Sequence, residues 1–184
     1  MAITIIVEDG SVIASANSFI SLEDARVQVE ALGLTLNADD ETAKSQLTQA
    51  YYQLKRSYQS RLKGCLVSSE QTGIYPREGI YANGFYVPSN SIPQDVIYAQ
   101  LAYADSINKG ADVNQTAKAQ EVSSESLDGV GSRTYKNGSS SRTTPFVPAV
   151  TQWLQPYMKS NGLNRDDYLY DGKGTGLYGG RYVS

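Results

Sequence analysis

The sequence predicts a mainly α protein: a small four-helix bundle with a short N-terminal strand, a β-hairpin or long loop between the third and fourth helices, and an extended C-terminal arm. Three observations carry that expectation. Apolar side chains recur at spacings of three and four from Ala43 to Leu62, the pattern of one buried helical face. Val96 to Ile107 is apolar around more than half of a helical circumference. After residue 160 only Leu163, Leu169, Leu177 and Val183 are aliphatic, among six glycines and four tyrosines. That is too little to offset the entropy of ordering such a segment alone. The chain divides accordingly into a helical domain over 1–159, with the hairpin or loop at about 118–142, and a Gly/Tyr-rich arm over 160–184.

Each element has a local cause. Ile3 to Val7 is β-branched throughout and stops at Glu8-Asp9-Gly10, a strand and a turn, and Val12 and Ile13 suggest a second short strand. Ser21 can cap a first helix whose opening turn carries Glu23 and Asp24, where the helix dipole favours acid, and Gly33 supplies a left-handed end. Asp39 caps the second helix, whose stripe of Ala43, Leu47, Ala50, Tyr51, Leu54, Tyr58 and Leu62 runs until Gly64. The third helix begins at Pro93, with Ser91 as a cap, and runs to about Asn108 before Gly110. Polar sequence from Ala117 to Arg142, with Gly129-Val130-Gly131 and an Asn137-Gly138 turn signal, gives the hairpin or loop. A fourth helix follows over about Val147 to Met158, with Pro148 tolerated in its first turn and Pro156 weakening its last.

Composition narrows the function classes. The chain has 184 residues, 40% hydrophobic and 19% charged, with net charge −3, an ordinary globular makeup. Its N-terminus lacks the basic flank and long apolar run of a signal peptide or spanning helix, so synthesis in a cytoplasm without membrane attachment is expected. Histidine is absent and Cys65 is the single cysteine. These exclude Ser-His-Asp and Cys-His catalysis, disulfides within the chain and multi-thiolate zinc, and Cys65 is expected to pack as a small hydrophobe. No carboxylate constellation is coherent enough to suggest an enzyme, and no cofactor is expected.

The motifs that hint at ligands fail on context. Gly174-Thr175-Gly176-Leu177-Tyr178-Gly179 has the glycine spacing of a dinucleotide fingerprint but no room for the strand and helix that spacing requires. Gly172-Lys173-Gly174 lacks the Ser or Thr that follows the lysine of a phosphate loop. A calcium loop starting at Asp167 would have Leu169 and Tyr178 at ligand positions. Glu8-Asp9 and Asp39-Asp40-Glu41 read as turn and helix-start residues.

What remains is contact chemistry. The 14 tyrosines are amphipathic material for protein interfaces or for stacking bases. Residues 73–93, GIYPREGIYANGFYVPSNSIP, read as a proline-stiffened loop presenting Tyr75, Arg77, Tyr81, Phe85 and Tyr86 to a partner protein. Charge is uneven, −7 over residues 1–132 and +4 over 133–184, so the arm meets something the body does not. The rival is a single-stranded-nucleic-acid-binding module using Tyr51 and Tyr58, or the tyrosines of the arm, with Lys55, Arg56 and Arg61. The helical spacing of Tyr51 and Tyr58 marks them more strongly as core.

Val7-Glu8-Asp9-Gly10, Ala16-Asn17-Ser18-Phe19-Ile20-Ser21-Leu22, the helices ending at Gly33 and near Gly64, Tyr75-Pro76-Arg77, Val87-Pro88 and Ile92-Pro93 before an Ala-rich helix together resemble a phage family. It is that of the head-tail connector (adaptor, or head completion) proteins of tailed bacteriophages, whose members are often labelled DnaT-like single-stranded-DNA-binding proteins. The likeness covers residues 5 to about 110 and, more loosely, the helix near Trp153. It implies a virion protein at the head-tail interface, a ring of about twelve copies under the portal, with DNA passing through its channel without sequence specificity. The portal, tail or tail-completion proteins and other copies of the chain would be its partners. Tyr75, Arg77, Tyr81, Phe85 and Tyr86 would face a neighbouring subunit or tail component, and Tyr168, Tyr170, Tyr178, Arg181 and Tyr182 of the arm would anchor on the portal.

Overall fold

The computed structural model describes residues 2–111 and 147–159. Its helices are α1 (Leu22–Ala31), α2 (Asp40–Tyr58), α3 (Gln94–Asn108) and α4 (Pro148–Leu154). Local chemistry sets their ends. The Ser21 hydroxyl accepts the Asp24 amide at 3.1 Å, and Asp39 Oδ2 accepts that of Thr42 at 2.9 Å. Gly33, at φ +66°, ends α1, with its amide on the Glu30 carbonyl and that of Leu34 on Val29. Pro93 is itself the N-cap of α3 rather than a first-turn residue, and the Ser91 hydroxyl turns back to the Pro88 carbonyl. α4 is short: Pro156 lies in a single 3-10 turn, Gln155–Tyr157, that closes it.

The buried stripe of α2, Ala43, Leu47, Ala50, Tyr51, Leu54 and Tyr58, meets Val96, Ala99 and Tyr103 of α3 and Val150 and Leu154 of α4 in one core. The N-terminal segment is tied in by Gln100, which is fully buried. Its carboxamide accepts the Phe19 amide at 2.8 Å and donates to Ser18 Oγ and the Leu47 carbonyl at 2.9 and 3.0 Å. These three polar contacts cannot be made by water at that depth, so the side chain fixes how the segment crosses the helices.

The architecture is mixed α/β and not a four-helix bundle. Between α2 and α3 lie two small antiparallel sheets. In the first, β1 (Cys65–Leu66) pairs with β2 (Arg77–Glu78). In the second, β3 (Ile80–Ala82) pairs with β4 (Phe85–Val87) in the register Ile80↔Val87, Tyr81↔Tyr86, Ala82↔Phe85. Asn83 and Gly84 join the latter pair with φ +52° and +83°. Two consecutive positive φ values match the turn whose twist suits a tight hairpin. The expected N-terminal strand contributes a single parallel bridge, Val7↔Ser18. Val12 and Ile13 form no strand, because the buried Glu8 carboxylate accepts the amides of Gly10, Val12 and Ile13 at 2.9–3.0 Å and wraps them into a turn. The expected hairpin at 118–142 and the arm at 160–184 lie outside the described residues.

Candidate nucleic-acid interface

Alternation along β3 and β4 sorts the hairpin into two faces. Ile80 and Ala82 are buried, while Tyr81 and Tyr86, cross-strand partners, stand 49% and 53% exposed. Their Cβ atoms are on the order of 5 Å apart, which sets the two rings side by side. Phe85, beside the turn, is 76% exposed. Phe85 is the cross-strand partner of Ala82 and so leaves the ribbon on the other face from Tyr81 and Tyr86, giving three exposed rings on a backbone that is already hydrogen-bonded.

A cationic ledge lies against the base of this ribbon. Residues 61–63 run antiparallel to 157–159: the Lys63 amide donates to the Tyr157 carbonyl and the Lys159 amide to that of Arg61, both at 2.8 Å, around the Leu62↔Met158 bridge. Leu62 is buried between its neighbours, so Arg61 and Lys63 share the outer side. Lys63 Nζ donates to the Tyr81 carbonyl at 3.3 Å and Lys159 Nζ to that of Ser60 at 3.1 Å. Arg61, Lys63 and Lys159 therefore come together beside the hairpin.

Arg77 holds the ledge from beneath. It is 4% exposed, and its guanidinium donates to the carbonyls of Lys63 (2.8 Å), Gly64 (2.9 Å), Ile74 (3.4 Å) and Leu62 (3.5 Å). Burial lowers its pKa from the ordinary arginine value, yet a guanidinium stays charged at neutral pH. Gln71 braces the adjoining loop by accepting the amides of Val67 and Ser68 and donating to Gly73 and Pro76.

Electrostatics favour an anion here. Residues 42–69 contain Lys44, Lys55, Arg56, Arg61 and Lys63 and no Asp or Glu. Acid gathers at the starts of the first two helices, Glu23, Asp24, Asp40 and Glu41. Near the ledge, Glu78 is exposed on β2 opposite Cys65, and Asp95 accepts the Tyr157 hydroxyl at 2.8 Å.

The sequence-predicted residues separate into groups. Tyr81, Phe85 and Tyr86 are on the surface, whereas Tyr75 is fully buried and Arg77 nearly so. Tyr75 packs edge-on against Tyr157, ring centroids 6.2 Å apart, because the chain folds back at residues 71–77 and drives it under the ledge. Tyr51 and Tyr58 are core, so neither can stack a base. The Tyr51 hydroxyl meets Thr72 at 3.1 Å and that of Tyr58 meets Thr151 at 2.8 Å. Burial pushes the Tyr51 phenol up to about 12 and raises that of Tyr58. Lys55 is spent on the Gln71 carbonyl at 2.9 Å, and Arg56 and Arg61 are exposed. Cys65, expected to pack, is exposed instead on a two-residue strand. Tyr168, Tyr170, Tyr178, Arg181 and Tyr182 lie outside the described residues. Lys63 and Lys159 were not singled out by sequence. The acid-free stretch 42–69 points to the first of them, and nothing local points to the second.

Among the described residues no group of three or more carboxylates or thiols could hold a metal ion, and no helix is long and apolar enough to cross a membrane. No curated protein and no solved structure matches the chain. One family profile does, that described as "Putative DnaT-like ssDNA binding protein", over residues 3–166. That span takes in every described element of the fold, and the chain belongs to this DnaT-like ssDNA-binding family.

Proposed function

We propose that the protein binds single-stranded nucleic acid without sequence preference, stacking bases on Tyr81, Tyr86 and Phe85 and seating phosphates on Arg61, Lys63 and Lys159. The carrying observation is the juxtaposition: three exposed rings on a hairpin whose base touches a ledge of three cations. The family to which the chain belongs supports the same reading. Each base–aromatic stack contributes about 1–3 kcal/mol, and every base offers a π-face. The cations act by displacing counterions, a term blind to sequence. In this reading the protein is a binding module and not an enzyme.

The test is fluorescence anisotropy of a labelled oligothymidylate with the full chain at several salt concentrations. Affinity should fall with a log–log slope of about −2, near −0.7 for each of three phosphate contacts. A Tyr81→Ala/Tyr86→Ala variant should lose most of it. Cys65, the single and exposed thiol, should be alkylated more slowly when the oligonucleotide is bound. Absence of binding at low salt, or binding indifferent to the hairpin variant, overturns the reading.

The second reading is the head-tail connector. The 76% exposure of Phe85, an aromatic with no polar atom, favours a protein partner, as does the excess of acid over base in residues 1–132. Here the hairpin contacts a tail component or the next subunit of a ring under the portal, in the virion, and Tyr168, Tyr170, Tyr178, Arg181 and Tyr182 reach the portal. Deleting residues 163–184 and measuring portal binding tests it, undiminished affinity counting against it. Salt separates the two readings, since an aromatic protein contact is far less salt-sensitive than phosphate binding.

A further inference from the structure

We propose that the bound strand continues from the hairpin onto the outer face of α2, where Tyr52 and Arg56 form a second stacking and phosphate-binding step; this rests on the single-strand reading of the hairpin. Tyr52 is 47% exposed in the middle of a 19-residue helix, where its ring adds nothing to the core stripe. It is nonetheless held. Its ring stands edge-on to Tyr51, centroids 5.6 Å apart and planes at 83°, and Tyr51 is locked by the Phe19 ring at 4.6 Å and by Thr72. A ring fixed on one side and open on the other loses little entropy when a base stacks on it.

Arg56 follows one turn later and is exposed on the same side of the helix. Its charge also complements the helix C-terminus, as does that of Lys55. The dipole accounts for cations in the last turn but not for a supported aromatic ring preceding them. From Tyr52 the helix and the 3-10 turn Gln59–Arg61 lead directly to the ledge, about 14 Å away along the axis. The nearest acid on α2 is Glu41, paired with Lys44 and about 16 Å in the other direction. Between Tyr52 and the ledge, the helix and the turn that closes it carry Lys55, Arg56 and Arg61 and no acid, and a strand bound along them would span more nucleotides than the hairpin alone can stack.

A length series of oligothymidylates, from about 4 to about 16 nucleotides, decides the matter when titrated into the full chain and its Tyr52→Ala, Tyr52→Phe and Tyr81→Ala variants. Tyr52→Ala should weaken the long oligonucleotides by about 5- to 100-fold and leave the shortest that binds unchanged. Tyr52→Phe should restore the wild-type values, and Tyr81→Ala should weaken all lengths. Arg56→Gln, which needs no loss of aromatic packing, should make the salt slope for long oligonucleotides shallower by about 0.7. Long-oligonucleotide affinity that is indifferent to both Tyr52→Ala and Arg56→Gln overturns the extended path while leaving the hairpin site standing. Wild-type protein that binds no length overturns both.

Discussion

Two sets of aromatic side chains in this molecule are made of the same residues and do opposite work. Tyr51, Tyr58, Tyr75 and Tyr103 are sealed in the core, while Tyr81, Phe85 and Tyr86 stand out from a two-stranded ribbon. The inner set is held by packing on all sides. The Tyr51 and Tyr58 hydroxyls meet threonines brought from elsewhere in the chain, Thr72 and Thr151. The backbone of the outer set is held by the β3–β4 ladder and the Asn83-Gly84 turn. Tyrosine content therefore says little about function until position on the stripe or the ribbon is known. Only rings that the core does not need are free to meet a ligand.

The sharpest way to break this contrast is alkali. Burial raises the phenols of Tyr51, Tyr58, Tyr75, Tyr103 and Tyr157, that of Tyr51 to about 12. In the unfolded chain they ionise near 10. The native state thus keeps protons that the unfolded state releases, so stability is whole below pH 10 and is lost as pH rises from about 10 toward about 12. Tyrosinate absorbance from this set should appear together with loss of the far-ultraviolet helix signal. Ionisation of all 14 tyrosines with the helices intact would mean that the inner set is not sealed.

Next in size is a pair of truncations. Tyr51→Ala removes a buried ring and leaves a cavity beside Phe19, and should cost about 3–5 kcal/mol in denaturant unfolding. Tyr81→Ala should change stability by no more than about 0.5 kcal/mol yet weaken oligonucleotide binding by about 1–3 kcal/mol. Equal losses of stability in the two variants would erase the distinction between the sets.

Arg77→Met probes the joint between the two regions. It keeps most of the side-chain volume but leaves the carbonyls of Leu62, Lys63, Gly64 and Ile74 without their donor. A loss of about 3 kcal/mol is expected, and binding by the protein that remains folded should weaken too, because Lys63 is no longer positioned. Stability that falls while affinity holds would show that the ledge does not depend on its brace.

Much of this fold was legible where the cause is local. Ser21, Gly33 and Asp39 set helix ends through contacts within a few residues. The stripe on α2 already assigned Tyr51 and Tyr58 to the core. The ribbon was legible too, since Asn83-Gly84 sits between Ile80-Tyr81-Ala82 and Phe85-Tyr86-Val87, but the prolines at 76, 88 and 93 weighed toward an irregular loop. The rest depended on distance. Arg77 is buried because the fold brings it four carbonyls, three of them from Leu62, Lys63 and Gly64, just past the 3-10 turn that follows α2. Lys159 joins Arg61 across 98 positions of sequence. The Glu8 carboxylate overrides the strand propensity of Val12 and Ile13 by a reach that no propensity records.

The smallest expected effect is the most specific to location. Glu78 is an exposed acid on β2, and its backbone lies so close to Gly64 that a Cβ on that glycine would overlap the Glu78 carbonyl oxygen. Its carboxylate therefore stands near the start of the ledge and opposes any phosphate bound there. Glu78→Gln removes this repulsion without changing shape, and should strengthen oligonucleotide binding by less than about 1 kcal/mol, the scale of an exposed charge interaction. The gain should vanish toward 1 M salt, where the screening length falls to about 3 Å. Asp40→Asn, at the far end of α2, should give no gain, because a helix of 19 residues puts it about 28 Å from the other end, well beyond screening range at physiological salt. Equal gains from both substitutions would mean that net charge alone governs binding, and the hairpin and its ledge would then have no claim to be the site.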